Sequence, residues 1–370
     1  MNFPKPWGLS LHTMILSGIF MMLATVAQAV TFPADKFSNL DYGLYWFGNG
    51  DNWEKAVPGH SNSYFHNGRK TIIYIHGWEK DTVKDRQREG FNRHDVGGPD
   101  LNLAAAWRNA GWNVGVLYWN QFSDEQDVAH AEAKIWVTNG PQGMRWLKRN
   151  SNGSTSYQYN INQTATQLLF DNYRANMSGF YGSEVRFAGH SLGNQMAIAL
   201  ADKIRVAVDS GSLTSAALPD RIALLDPFYT KNARSYYGNQ WAGELSRYAA
   251  FRLMDDGVKF EAYRSSSVTS TIFVGDDNKP LMDELAFTEL KPWDFYAWQQ
   301  FEKHQFAVTW YFWSFDFNTL PIKNSGDKAA SAAASNSRIS QLMNSNKKLV
   351  HDLGAYTQTP GDDRMKYVNR

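Results

Sequence analysis

The stretch Val185-Arg186-Phe187-Ala188-Gly189-His190-Ser191-Leu192-Gly193-Asn194 constrains this chain more than any other. It reads as a short apolar strand, a Gly-x-Ser-x-Gly turn and then a helix, because Ala197, Leu200, Ala201 and Ile204 recur at helical spacing beyond it. A serine at the apex of so tight a turn stands clear of the backbone. Side chains two positions to either side would collide, and Gly189 and Gly193 have no Cβ to do so. The following helix presents backbone N–H groups and a positive dipole end where an oxyanion would develop. The stretch predicts a strand–turn–helix unit of an α/β fold with Ser191 as a nucleophile. A partial imitation, Gly59-His60-Ser61, lacks both the second glycine and a strand before it.

A serine nucleophile needs a base to take its proton and an acid to orient that base. In units of this kind the three follow one another as serine, acid, histidine. Two histidines lie beyond Ser191. His304 precedes an apolar helix expected over 306–315, where a loop would deliver it to the sheet edge, whereas His351 lies in a polar stretch; His304 is the expected base. For the acid, Asp226 directly follows the apolar strand 221–225, while Asp276 and Asp277 follow a strand-like run at 271–274 and stand nearer His304. Order along the chain does not separate them.

Apolar runs at 71–75, 113–119, 185–188, 221–225 and 258–263 read as strands, with helices expected over 101–110, 165–172, 193–204 and 306–315. Strands alternating with helices imply a mostly parallel central sheet flanked by helices. Lys5, the apolar run 14–24 and Ala27-Gln28-Ala29 have the form of a signal peptide over 1–29, so a secreted or periplasmic location is expected, with cleavage near Ala29. Residues 30–320 are then one catalytic domain. Within it, the irregular stretch 123–159, with Trp136, Met144 and Trp146, is a candidate lid or rim. The Ala-, Ser-, Asn- and Lys-rich residues 321–370 read as a polar tail. Loss of the leader removes one cation, Lys5, and leaves basic and acidic residues balanced, so nucleic-acid binding has no electrostatic footing. With no cysteine in the chain, the core alone must hold the fold. Nothing in the sequence sets an oligomeric state.

Lys70-Thr71-Ile72-Ile73-Tyr74-Ile75-His76-Gly77-Trp78, the strand 114–119, Gly189-His190-Ser191-Leu192-Gly193 and Leu225-Asp226-Pro227 together resemble the animal pancreatic-lipase branch of the α/β hydrolases. The resemblance spans roughly residues 65–315 and rests on the order of these four motifs. It implies the α/β-hydrolase fold and a serine ester hydrolase of lipase or phospholipase A1 type. By the same resemblance, Asp226 is the catalytic acid and the backbone N–H groups of Trp78 and Leu192 form the oxyanion hole. No metal or organic cofactor is implied. The implied partner is a lipid or other acyl ester, with transient contact to a lipid surface. The family's disulfides and C-terminal β-sandwich have no counterpart here, nor does a colipase-type surface, so triacylglycerol specificity does not carry over. Alternatives are a carboxylesterase or acyltransferase acting on small esters, and a non-catalytic lipid-binding protein on a hydrolase fold.

Overall fold

A computed structural model of the protein describes residues 29–94, 100–270, 275–292, 295–317, 320–355 and 360–370. The expected leader lies outside them except for Ala29, which begins a short strand paired with residues 87–89. The run 271–274 also lies outside them.

Ten strands form one sheet: β1 (Gly43–Phe47), β2 (Trp53–Lys55), β3 (Thr71–Ile75), β4 (Asn113–Tyr118), β5 (Val185–His190), β6 (Arg221–Leu225), β7 (Lys259–Arg264), β8 (Ala286–Glu289), β9 (Lys347–Asp352) and β10 (Arg364–Asn369). Their spatial order is β10-β9-β8-β7-β6-β5-β3-β4-β1-β2. The sheet is mixed, with a parallel centre and antiparallel flanks. Strands β4, β3 and β5 to β9 run parallel, while β1, β2 and β10 pair antiparallel at the two flanks.

Alternate residues of the central strands serve two separate cores, as the period-two pleat requires. Ile73, Ile75, Phe187, Ile222 and Leu224 pack on one face beneath α3 (Ala165–Met177), α4 (Gly193–Asp209) and α5 (Ala242–Asp255). Ile72, Tyr74, Ala188, Ala223 and Leu225 pack on the other with α1 (Ala105–Asn109), α6 (Gln300–Trp313) and α7 (Asn336–Met343). Both faces are covered, which is why the central strands are apolar without alternation. The first helix is shorter than expected, because residues 100–102 pair with 92–94 as a small hairpin.

The expected polar tail is part of the fold. It supplies α7, β9 and β10, and Ala329, Ala330, Ala332, Ile339, Leu349 and Met365 are buried. Two buried arginines explain why so polar a segment is held. Arg186 and Arg221 are register partners on adjacent strands. Arg221 forks onto Glu261 at 2.6 and 2.5 Å, and Arg186 pairs with Glu184 at 2.7 Å. Their remaining N–H groups donate to the carbonyls of Ser331, Ala332 and Ala334 at 2.6–2.7 Å. A buried guanidinium left unmatched is strongly destabilising, so the backbone of residues 331–334 is required where it is.

The stretch 123–159 is likewise regular. It holds α2 (Val128–Trp136) and a hairpin pairing residues 146–149 with 155–158. Lys134 Nζ, nearly inaccessible, donates to Glu125 at 2.7 Å and to the carbonyls of Phe122 and Arg145 at 3.0 and 2.6 Å; Arg145 also grips Glu125. Burial pushes the Lys134 ammonium down to about 8. Met144 and Trp146 are buried in the core, and Trp136 donates to Gln195 on α4. These buried charges and rings fix the element against the core. Leu349→Ala should cost about 2–5 kcal/mol and lower the melting temperature accordingly, as a large-to-small change in a core does. A detachable tail would leave thermal unfolding unchanged.

Candidate functional site

The parallel strands β3, β5, β6 and β7 end side by side, and the residues immediately after them build the site. His190 is the register partner of Leu225, which puts Ser191 and Asp226 one step beyond the last rung. The Ser191 N–H donates to the Leu225 carbonyl at 3.1 Å, and the Phe228 N–H donates to the Ser191 carbonyl at 3.3 Å.

Ser191 has a φ of 54°, in the left-handed region, between β5 and α4. A non-glycine residue there costs on the order of 1–3 kcal/mol and persists only where its surroundings over-determine it. They do so through contact. A Cβ on Gly193 would come within 2.1 Å of the Ile75 carbonyl oxygen, and one on Gly77 within 2.7 Å of Ser191 Cβ. The turn is therefore wedged against the segment leaving β3. Asp226, with a φ of 43°, carries the same kind of strain.

His304 Nδ1 lies 2.5 Å from Asp226 Oδ2. His304 sits within α6 rather than in a loop before it. The Asp226 carboxylate is fully buried and fully satisfied: Oδ1 accepts the Ser265 and Ser266 N–H groups at 2.9 and 3.2 Å, and Oδ2 also accepts the Ser266 hydroxyl. With Nδ1 donating to Asp226, Nε2 is the nitrogen left to accept a proton. The histidine's backbone is fixed as well. His190 Nε2 bonds to the His304 carbonyl at 3.2 Å, and Ser265 Oγ donates to the Lys303 carbonyl at 2.5 Å. Burial, and then the neighbouring His304, hold the His190 imidazole well below its usual pKa, so it is a neutral strut.

The rival residues fall elsewhere. Asp276 accepts the Asn278 N–H at 2.8 Å in a local turn, Asp277 faces Arg264 at 3.8 Å, and His351 on β9 pairs with Asp363 at 3.0 Å. The structure joins His304 to Asp226.

Gly77, directly before Trp78, meets Leu192 at the elbow, since a Cβ on it would also lie 3.3 Å from the Leu192 nitrogen. Neither the Trp78 nor the Leu192 backbone N–H has an acceptor among the described residues. The Trp78 indole donates to the Glu125 carbonyl at 2.7 Å, and His76 accepts the Trp119 N–H at 3.0 Å while its other nitrogen faces the Gly77 carbonyl at 3.0 Å. Burial pushes the His76 imidazole down to about 3, so it stays neutral. Beyond Trp78, Asp124 accepts the Asp81 and Val83 N–H groups at 2.8 and 2.9 Å.

Sequence reasoning missed Ser265 and Ser266, which hold Asp226. Three successive serines directly after a strand were the available signal. It also missed Glu132, buried on α2, which accepts from Gln195 at 2.7 Å and from the Thr230 N–H at 2.9 Å, so tying α4 to the loop beyond Asp226. A lone glutamate in a helical pattern gives no such hint.

No family model matches the sequence, and no curated protein matches it. Among solved structures, a lipase/esterase from Lactobacillus plantarum shares 11% identity over 72% of this chain and 86% of its own, with a TM-score of 0.29. An esterase B from Lactobacillus rhamnosis shares 12% over 80% and 90%, with a TM-score of 0.30. A membrane phospholipase A described as a bacterial virulence factor shares 12% over 80% and 92%, with a TM-score of 0.28. Overlaps this loose assign neither a fold family nor an activity.

The buried acid beside this loop gives a pH signature. Burial lifts the Asp124 carboxyl to about 7 against the pull of its two N–H donors. The folded state then binds a proton that the unfolded chain releases near pH 4, so this contribution to stability is complete below about pH 4 and fades as pH rises to about 7. Asp124→Asn should flatten the fall in melting temperature between those values. An unchanged slope would contradict the assignment.

Proposed function

We propose that this chain is a serine ester hydrolase of lipase or phospholipase A1 type, built on the α/β-hydrolase fold as the resemblance to the pancreatic-lipase branch implies. The observation that carries the reading is the His304–Asp226 contact of 2.5 Å beside a strained serine at the end of β5. Ser191 Oγ attacks the acyl carbonyl, and His304 Nε2 takes its proton. Asp226 orients the ring and stabilises the imidazolium, while Ser265 and Ser266 hold Asp226 as an oriented anion. The Trp78 and Leu192 N–H groups receive the oxyanion of the tetrahedral intermediate. Collapse expels the alcohol, which leaves with the proton from His304. Water, deprotonated by the same nitrogen, then attacks the acyl-enzyme, releases the acid and restores Ser191. This cycle needs neither metal nor organic cofactor.

The leader-like residues 1–29 support export, with maturation near Ala29. A lipid or other acyl ester is the substrate class, and an exported enzyme would meet it in or beyond the envelope.

A panel of p-nitrophenyl esters and phospholipids tests this reading. Ser191→Ala should cut turnover by several orders of magnitude, and Asp226→Asn by about 10⁴ through loss of imidazolium support and the wrong tautomer. The double change Asp276→Asn/Asp277→Asn should leave turnover within a few-fold. A rate that jumps at the substrate's solubility limit identifies a lipase, whereas simple saturation identifies an esterase. Undiminished turnover in Ser191→Ala would end the serine-hydrolase reading.

A further inference from the structure

The segment entering α6 holds two aromatic rings out in water. Tyr296 is 65% exposed and Trp298 69%, and the rings stack with centroids 4.6 Å apart and planes 7° from parallel. A closed turn presents them: the Tyr296 N–H donates to Gln299 Oε1 at 2.8 Å, the Gln299 N–H donates back to the Tyr296 carbonyl at 3.1 Å, and Gln300 Nε2 donates to the Ala297 carbonyl at 2.6 Å. These rings are not excess core. They are displayed.

Beside them opens a cavity of about 460 Å³ whose lining includes Arg264, Ser265, Lys291, Phe295 and Lys303. Among the described residues its one lining carboxylate, Glu289, faces Lys348 at 3.4 Å, and Arg264 faces Asp277 at 3.8 Å. Lys291 and Lys303 have no acidic partner among the described residues. On a chain whose charges nearly balance, two unmatched ammonium groups next to two exposed amphipathic rings form a local cationic and aromatic surface. The cavity shares Ser265 and Ser266 with the cradle of Asp226, so this surface adjoins the site.

We propose that this face docks on an anionic phospholipid bilayer, with Tyr296 and Trp298 at the headgroup boundary and a lipid phosphate in the cavity between Lys291, Lys303 and Arg264. Tyrosine and tryptophan favour that boundary because each has an apolar body and a polar edge. Lysines near an anionic surface strengthen attachment by about fivefold each. A neutral polysaccharide would use the rings but leave the lysines unmatched. The proposal rests on the ester-hydrolase reading only for the purpose of docking, which is to bring acyl esters to Ser191; docking itself is measured without turnover.

The full chain carrying Ser191→Ala, which prevents lipid loss, is sedimented with phosphatidylcholine vesicles with and without phosphatidylglycerol. Binding is expected to the mixed vesicles and to fall with added salt. Tyr296→Ser/Trp298→Ser should abolish it, and Lys291→Ala/Lys303→Ala should weaken it by about 25-fold. On the wild-type background, the aromatic double change should leave short soluble ester turnover and the melting temperature as they were. Absence of vesicle binding, binding that survives the aromatic change, or an equal loss of soluble turnover would each overturn the proposal. Vesicle binding by a wild-type chain that cleaves no ester would overturn the hydrolase reading and leave the docking surface standing.

Discussion

The close approach of the serine turn to the end of β3 is the constraint on which the rest of the structure depends. Gly193 lies so near the Ile75 and His76 carbonyls that a single methyl group would not fit. That contact fixes the entry of α4 and holds Ser191 at a positive φ. It also brings the residue before Trp78 against the Leu192 nitrogen, and neither the Trp78 nor the Leu192 N–H has an acceptor among the described residues. One contact thus positions Ser191 and the segment that carries Trp78. Local strain of this size is tolerable because two cores, one on each face of the sheet, secure the strands on both sides of the turn.

The second requirement is electrostatic. A fully buried carboxylate is costly unless its oxygens are matched, and Asp226 is matched by two backbone N–H groups, one hydroxyl and His304. The serine run after β7 therefore does two jobs, holding Asp226 and, through the Lys303 carbonyl, the helix that bears His304. The distance between Asp226 and His304 is set by α6, which packs across the sheet through Ala307, Val308, Tyr311 and Phe312.

What could be read in the sequence was what local chemistry dictates. The runs around β3 to β7 are apolar because both faces are covered, and the Gly-x-Ser-x-Gly turn has few structural uses. Ser191 and His304 were named from motif and order and Asp226 from family resemblance; the structure brings Asp226, rather than Asp276 or Asp277, to His304. What could not be read depends on partners distant in sequence. The alanine- and serine-rich C-terminal segment looks like a tail until Arg186 and Arg221 are seen to need its carbonyls. Residues 123–159 look irregular until Glu125, Lys134 and Arg145 are seen as one buried cluster. Buried charge is invisible to hydrophobic periodicity. In both cases polar residues that suggested solvent were bound to one another or to backbone.

The central claim is that Ser191 is an activated nucleophile, and its most direct measurement is covalent. The folded chain is treated with a fluorophosphonate probe, its intact mass recorded and the modified peptide sequenced. The expected result is one adduct, on Ser191, formed far more slowly when Asp226 is changed to asparagine because His304 then loses its orienting partner. A chain that stays unmodified, or that is modified at another serine, would contradict the account.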